Sequence, residues 1–167
     1  ESRVHTFPNC FRCGKLECGN YDCNNTLIPP QVATFASYIK VFRAFLAGAD
    51  EYALFVEDDI KPSENAETLC KQAISSDWVN VSNLNTSEAA LVQLGWALCD
   101  DHRSNEPFTL SRFSGKMANP AFALNKAMAL RIIKQFSKVD TTADIFIHRI
   151  CANDSNAKTF YPPLFYE

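Results

Sequence analysis

Three consecutive carboxylates, Glu57-Asp58-Asp59, directly follow the apolar run Tyr52–Val56. Five apolar residues in a row, rich in aromatic and branched side chains, are typical of a strand that is buried on both faces. In open α/β sheets, ligands bind at the carboxyl ends of such strands. Crowded carboxylates repel one another unless a cation or a proton offsets their charge, and Mg²⁺ and Mn²⁺ prefer oxygen ligands. The triplet therefore predicts a metal-phosphate site at the tip of a core strand.

The triplet also has a purely structural interpretation, because acidic side chains are favoured at helix N-termini and a helix is predicted to begin just after Pro62. We favour the metal site, since adjacent acids at the end of a core strand are costly without a counter-charge. If the strand continues through the triplet, Glu57 and Asp59 share one face. That arrangement would let both carboxylates converge on one ion.

The composition restricts the class of protein. The 167 residues are 47% hydrophobic and 21% charged, which is ordinary for a single globular domain with a real core. The net charge of −3 gives no broad basic field, so we expect no nucleic-acid partner. No apolar run reaches the roughly 18 residues of a membrane span, so we also expect no transmembrane segment. The polar N-terminus shows no signal peptide.

Seven cysteines are many for a chain of this size, and Cys10, Cys13, Cys18 and Cys23 fall within fourteen residues. These four thiols are candidates for local disulfides, for a Cys₄ zinc site or for free thiols. The short gap between the second and third favours disulfides. Four Asn-X-Ser/Thr sequons accompany them, at Asn24, Asn80, Asn85 and Asn153. The secretory-pathway lumen and the cytoplasm both remain open as locations.

Hydrophobic periodicity and turn residues predict alternating helices and strands. The predicted elements are a helix over Gln31–Ala47, a strand over 52–57, a helix over Glu64–Ile74, a strand over Ala90–Gly95, a strand over Asn119–Leu124, a helix over Lys126–Phe136, a helix or strand over Asp144–Ile150 and an extended tail over Thr159–Glu167. Residues 75–89 are polar and loop-like, and residues 100–114 form a second polar stretch in which Phe108 and Leu110 are possible strand residues. This order indicates a layered α/β fold.

The order of several motifs resembles a known family. They are the helix segment Ala36–Phe42, the strand and triplet Ala53–Asp59, Pro62, Gly115 with the later segment Phe122–Leu130, the acids Asp140 and Asp144, and the proline-containing tail Tyr161–Tyr166. Together they are similar to glycosyltransferase family 25, the group of lipopolysaccharide and collagen galactosyltransferases. The similarity extends over about residues 31–167. Tyr38 stands where the family has His, and residues 1–30 lack an evident nucleotide-binding strand.

The resemblance implies a GT-A-like α/β fold, a Rossmann-related mixed sheet flanked by helices in a single domain. It divides the chain into a Cys-rich segment over residues 1–30 and a transferase domain over 31–167, with N-terminal truncation as one explanation of the missing strand. The implied activity is transfer of a hexose, galactose or glucose, from a nucleoside diphosphate sugar such as a UDP-sugar to a glycan or protein acceptor. The implied cofactor is Mn²⁺ or Mg²⁺.

The resemblance also implies roles for individual residues. In its DxD-like pattern, Asp59 is the main metal ligand and Glu57 the second, while His148 is a candidate to complete the metal site. Glu57, Asp58 and Lys116 would hold the nucleotide sugar. Asp144 is the first candidate for the general base that activates the acceptor hydroxyl, and Asp140 the second. A helix N-terminal acid, a capping acid, a structural histidine and a solvated lysine are the alternative interpretations.

Two other functions compete with the transferase. A non-catalytic GT-A-like binding or assembly module would account for Tyr38 and for the missing nucleotide-binding strand. A zinc-dependent interaction protein would depend on the four N-terminal cysteines. Nucleotide-sugar hydrolysis distinguishes the first from an enzyme, and metal analysis tests the second.

Overall fold

The computed structural model describes residues 27, 29–97, 104–116, 118–139 and 141–166. Five helices lie within these residues: α1 (Pro29–Ala47), α2 (Ala66–Ser75), α3 (Trp78–Val81), α4 (Lys126–Gln135) and α5 (Ala143–Cys151). The strands are β1 (Tyr52–Val56), β2 (Lys61–Pro62), β3 (Leu91–Gln93), β4 (Gly95–Trp96), β5 (Thr109–Arg112), β6 (Ala121–Asn125), β7 (Ala157–Tyr161) and β8 (Phe165–Tyr166). The predictions for Cys10, Cys13, Cys18, Cys23 and Asp140 lie outside the described residues.

The strands form two sheets. The larger has the order β1-β6-β3-β7-β5, and the smaller has the order β2-β8-β4. In the larger sheet β3 and β7 pair in parallel, while the other neighbours are antiparallel. The predicted mixed sheet flanked by helices in one small domain is therefore confirmed.

Side chains along β6 point alternately to the two faces of the sheet and belong to two separate core clusters. Phe122 and Leu124 pack on one face with residues of α1, α4 and α5. Ala121 and Ala123 pack on the other face with α2, and α3 lies against that cluster. Because β6 is buried along its whole length, it is the central strand on which both helical layers are assembled.

Strand β1 differs from its prediction. Its position was correct, but it is not buried on both faces, because it pairs only with β6 within the described chain and forms the edge of the sheet. Tyr52, Leu54 and Val56 are 44%, 55% and 53% exposed. Ala53 and Phe55 alternate with them and are half-buried, and Phe55 contacts the cluster on the α1 side. An apolar run alone does not reveal whether a strand has one neighbour or two.

Most other predicted elements are confirmed. Helix α1 buries Phe35, Ile39 and Phe42, and the ambiguous segment after Asp144 is helix α5. The expected loop over 75–89 is wrong in one part, because it contains the one-turn helix α3. Among the described residues, no helix combines the length and the apolar character needed to cross a membrane.

The two core layers lead to a matched test of packing. Leu124 in β6 is fully buried, whereas Leu130 in α4 is 43% exposed. Leu124→Ala is expected to lower the free energy of unfolding by about 2–5 kcal/mol, because it removes buried methyl groups and leaves a cavity. Leu130→Ala makes the same chemical change at the surface and should alter it by no more than about 0.5 kcal/mol. Urea unfolding measures both, and equal losses would contradict this assignment of the core.

Candidate functional site

A cleft of about 780 Å³ opens beside the edge strand. Its walls come from helix α1, strand β1 with the residues that follow it, the segment before β6, and the start of α5. Its described lining residues include the complete triplet and Asp144, together with polar and apolar side chains: Gln31, Thr34, Ser37, Tyr38, Val41, Phe42, Leu54, Phe55, Val56, Glu57, Asp58, Asp59, Asn119, Phe122, Thr142 and Asp144. Residues far apart in the sequence therefore meet at one site.

The triplet leaves the sheet immediately after β1. The Glu57 N–H donates a hydrogen bond to the Pro120 carbonyl at 2.8 Å, and Asp58 and Asp59 form a turn. The strand ends at Val56, so the alternation of side chains along a strand does not extend to Glu57 and Asp59. The premise that they share a strand face was therefore wrong. Their association comes instead from a turn that faces the cleft.

Tyr38 anchors the first residue of the triplet. Its hydroxyl oxygen lies 2.7 Å from Glu57 Oε1 and 3.1 Å from the Asn119 carbonyl oxygen. A carboxylate is the stronger acceptor for the single hydroxyl proton. The Tyr38 ring stacks on Phe122, with centroids 5.8 Å apart. Helix α1 is thus joined to the end of β1.

Hydrogen bonds from the Gln93 side chain hold the segment before β6 in place. This fully buried side chain on β3 donates from Nε2 to the carbonyls of Lys116 and Ala118, at 3.1 Å each. Ala118 has a left-handed backbone with φ of 60°, which is uncommon for a residue with a Cβ. Two donors therefore fix the backbone that leads to Asn119, whose own side chain is 2% exposed.

Helix α5 brings Asp144 into the lining of the cleft. Thr142 is the N-cap residue, but its side chain makes no capping hydrogen bond. Asp144 lies in the first turn of the helix, where a negative charge is favoured by the helix dipole. Asp144 and the triplet line the same cleft.

The lining of the cleft combines acidic and apolar side chains. Four carboxylates line it, from the triplet and Asp144, and none of the lining residues in the described chain is Lys, Arg or His. Val41, Phe42, Leu54 and Phe55 form an apolar wall. Because repulsion among four carboxylates is relieved by a cation or by hydrogen-bond donors, the site is suited to ligands that supply one or both.

Two predicted site residues lie elsewhere. Lys116 is not among the cleft-lining residues, and its Nζ lies 5.6 Å from the centroid of the Trp96 ring. His148 is also absent from the lining. It is buried, and its ring makes an edge-to-face contact with Phe113 at 5.4 Å. No set of three or more His, Cys, Asp or Glu side chains within the described chain is arranged to hold a metal ion.

Sequence reasoning missed the contributions of Asn119 and Thr142, and it treated Tyr38 only as a departure from the family pattern. An Asn before Pro and a Thr before a helix are ordinary turn and capping residues. Nothing in their spacing connects them to residues 57–59. The pairing of β1 with β6 and the position of α5 create the site, and both are long-range features.

Comparison with known proteins adds no family assignment. No protein-family model matches the chain, and no curated protein sequence matches it.

The contact between Tyr38 and Glu57 predicts a difference between two Tyr→Phe variants. Tyr38→Phe keeps the stacked ring but removes the hydroxyl, and it should lower the free energy of unfolding by about 1 kcal/mol. The control, Tyr52→Phe, removes a hydroxyl from the exposed edge of β1 and should change it little. Urea unfolding at neutral pH compares them. Equal stability of both variants and the wild type would show that the Tyr38 hydroxyl does not stabilise the fold.

Burial of His148 predicts a pH effect on stability. Burial lowers the pKa of His148 from its ordinary value near 6.5, while the charge of Asp144 and a hydrogen bond to the Ala118 backbone oppose the shift. The unfolded chain therefore binds a proton more readily than the folded one. Stability is complete above about pH 6.5 and decreases as the pH falls below that value toward the lower folded pKa.

In His148→Gln the part of this decrease that comes from residue 148 should disappear. The free energy of unfolding, measured between about pH 5 and 7.5, should then fall less steeply toward acid than in the wild type. Parallel curves would exclude His148 as a source of the pH dependence.

Proposed function

We propose that the protein is a metal-dependent transferase that moves a hexose from a nucleoside diphosphate sugar to a glycan or protein acceptor. The observation that carries the proposal is the single cleft that combines Glu57, Asp58, Asp59 and Asp144 with an apolar wall. A nucleotide sugar combines corresponding groups: a flat base, a charged diphosphate and a hydroxylated ring.

The charge of the cleft supports a donor that binds with a cation. A diphosphate alone would meet four carboxylates and no basic side chain among the described lining residues. With Mn²⁺ or Mg²⁺ bound between them, the repulsion becomes an attraction on both sides. The apolar wall at Val41, Phe42 and Leu54 offers a surface on which a planar base would pack.

The donor atoms present fit such a cation. Carboxylate oxygens are the preferred ligands, and Mg²⁺ is ordinarily held by one or two carboxylates completed by substrate phosphates and water. A cage of three protein ligands is therefore not required. Asp59 would be the principal ligand, with Glu57 as the second. When bound, the cation would neutralise charge on the leaving diphosphate.

Asp144 would act as the general base. As the acceptor hydroxyl attacks the anomeric carbon, its proton would pass to the Asp144 carboxylate while the bond from carbon to diphosphate breaks. The location of Asp144 in the first turn of α5, in the wall of the same cleft, supports this role. A base on a helix that is separate from the triplet leaves the proton transfer independent of the cation ligands.

A non-catalytic sugar-nucleotide binding module is the second candidate. The contact between Tyr38 and Glu57 favours it, because a carboxylate fixed by a hydroxyl at 2.7 Å is less available to a metal. Turnover separates the two functions. Transfer or slow hydrolysis of the donor supports the enzyme, whereas tight binding without turnover supports the module.

Thermal unfolding with added ligand tests the proposal directly. A UDP-sugar, either UDP-galactose or UDP-glucose, should raise the melting temperature in the presence of Mn²⁺, because a ligand that binds only the folded state stabilises it. Asp59→Asn should abolish the increase. The matched control is Asp50→Asn, at the exposed opposite end of β1, which should retain it. No shift with any nucleotide sugar in the wild type would refute the proposal.

A further inference from the structure

Two side chains that line the cleft, Asn119 and Thr142, carry buried polar atoms without a hydrogen-bond partner. Among the described residues, the buried side-chain atoms without a hydrogen-bond partner belong to five residues: Gln93, Asn119, Thr141, Thr142 and His148. Four of these residues are connected through Ala118 or through the cleft. Gln93 and His148 both interact with the Ala118 backbone, Asn119 follows it, and Thr142 lines the same cleft as Asn119.

Such atoms call for an explanation, because buried polar groups are normally paired. Leaving one unpaired costs about 1–3 kcal/mol. Of the five residues, only Asn119 and Thr142 line the cleft. Asn119 has both Nδ2 and Oδ1 without a partner, and Thr142 has Oγ1 without one. Asn119 is 2% exposed and Thr142 is 9% exposed, so little water competes for these atoms.

The identity of the unpaired atoms selects the chemistry of the ligand. Asn119 presents a donor and an acceptor, and the Thr142 hydroxyl presents both. A phosphate oxygen accepts only, so it would leave Asn119 Oδ1 unpaired and would add charge to an acidic cleft. A metal cation would leave Asn119 Nδ2 unpaired. Hydroxyl groups donate and accept, so neighbouring hydroxyls on one ring can satisfy all three atoms.

We infer that the Asn119 amide and the Thr142 hydroxyl bind the ring hydroxyls of the hexose in the donor. This inference depends on the proposed function and refines it, because it separates the site into a part for the hexose and a part for the nucleotide. The carboxylates of the triplet, through the cation, hold the diphosphate. The unpaired polar atoms of Asn119 and Thr142 hold the sugar and select its hydroxyl pattern.

The chain contains a matched pair of threonines for the test. Thr141 and Thr142 are adjacent, both buried, and both have an unpartnered hydroxyl, but only Thr142 lines the cleft. Replacing Thr by Val removes the hydroxyl and keeps the branched shape. Because the Thr142 side chain makes no capping bond, Thr142→Val should not unfold helix α5. Both variants should melt at or above the temperature of the wild type, since each loses an unpaired polar group.

The experiment is calorimetric titration with UDP, UDP-galactose and UDP-glucose in the presence of Mn²⁺. Thr142→Val should weaken binding of at least one UDP-hexose by roughly 2- to 10-fold, the effect of one hydrogen bond, and Asn119→Ala by more. Neither should change the affinity for UDP. Thr141→Val should bind all three ligands like the wild type.

The outcomes separate the two proposals. If the wild type binds UDP-hexoses but Thr142→Val and Asn119→Ala bind them unchanged, or lose UDP equally, the hexose assignment is overturned while the proposed function stands. If the wild type binds neither UDP nor a UDP-hexose, the proposed function fails and the hexose assignment fails with it. An equal loss in Thr141→Val would also overturn the assignment, because it would show a general effect of altering the start of α5.

Discussion

One hydroxyl group joins the parts of the chain that form the cleft. The Tyr38 oxygen approaches both the Glu57 carboxylate and the Asn119 carbonyl, so α1, the residues after β1 and the segment before β6 converge on a single atom. The hydroxyl has only one proton to donate, and it faces two acceptors. The Glu57 backbone bond to Pro120 adds a second connection between the same two segments. The position of the acidic turn therefore depends on a side chain of α1, because Tyr38 lies nineteen residues before Glu57 in the sequence.

How much the sequence predicted follows from the range of the interactions. The spacing of Phe35, Ile39 and Phe42 predicted α1 correctly, because helical periodicity is a local property. The strand before the triplet was placed correctly, but its burial was not. Burial depends on how many strands flank β1, and pairing with residues such as Phe122 about 70 positions away leaves no local pattern. The same limit explains why Asn119 was not anticipated.

The polar lining of the cleft has two parts, the acidic triplet and the buried pair Asn119 and Thr142, and the two parts differ in their electrostatics. The triplet is exposed or half-buried, so water and dissolved ions screen its repulsion in the free protein. Asn119 and Thr142 are buried, so water cannot relieve their missing hydrogen bonds. The acidic triplet can remain without a ligand at modest cost, whereas the buried pair lowers stability for as long as its polar atoms are unpaired. Ligand binding at the two parts would therefore draw on different sources of free energy.

This difference has a consequence for discrimination between ligands. Under the proposed function, a cation and a diphosphate would bind mainly through charge, which is the same for every sugar attached to one nucleotide. A buried amide and hydroxyl would discriminate sharply, since a sugar hydroxyl with the wrong orientation would leave them unpaired in a place that water does not reach. Gln93 would support this discrimination, because its bond to the Ala118 carbonyl fixes the backbone next to Asn119. The rigid centre of the sheet, rather than the acidic turn that first identified the site, is thus the part of the structure on which sugar specificity would depend.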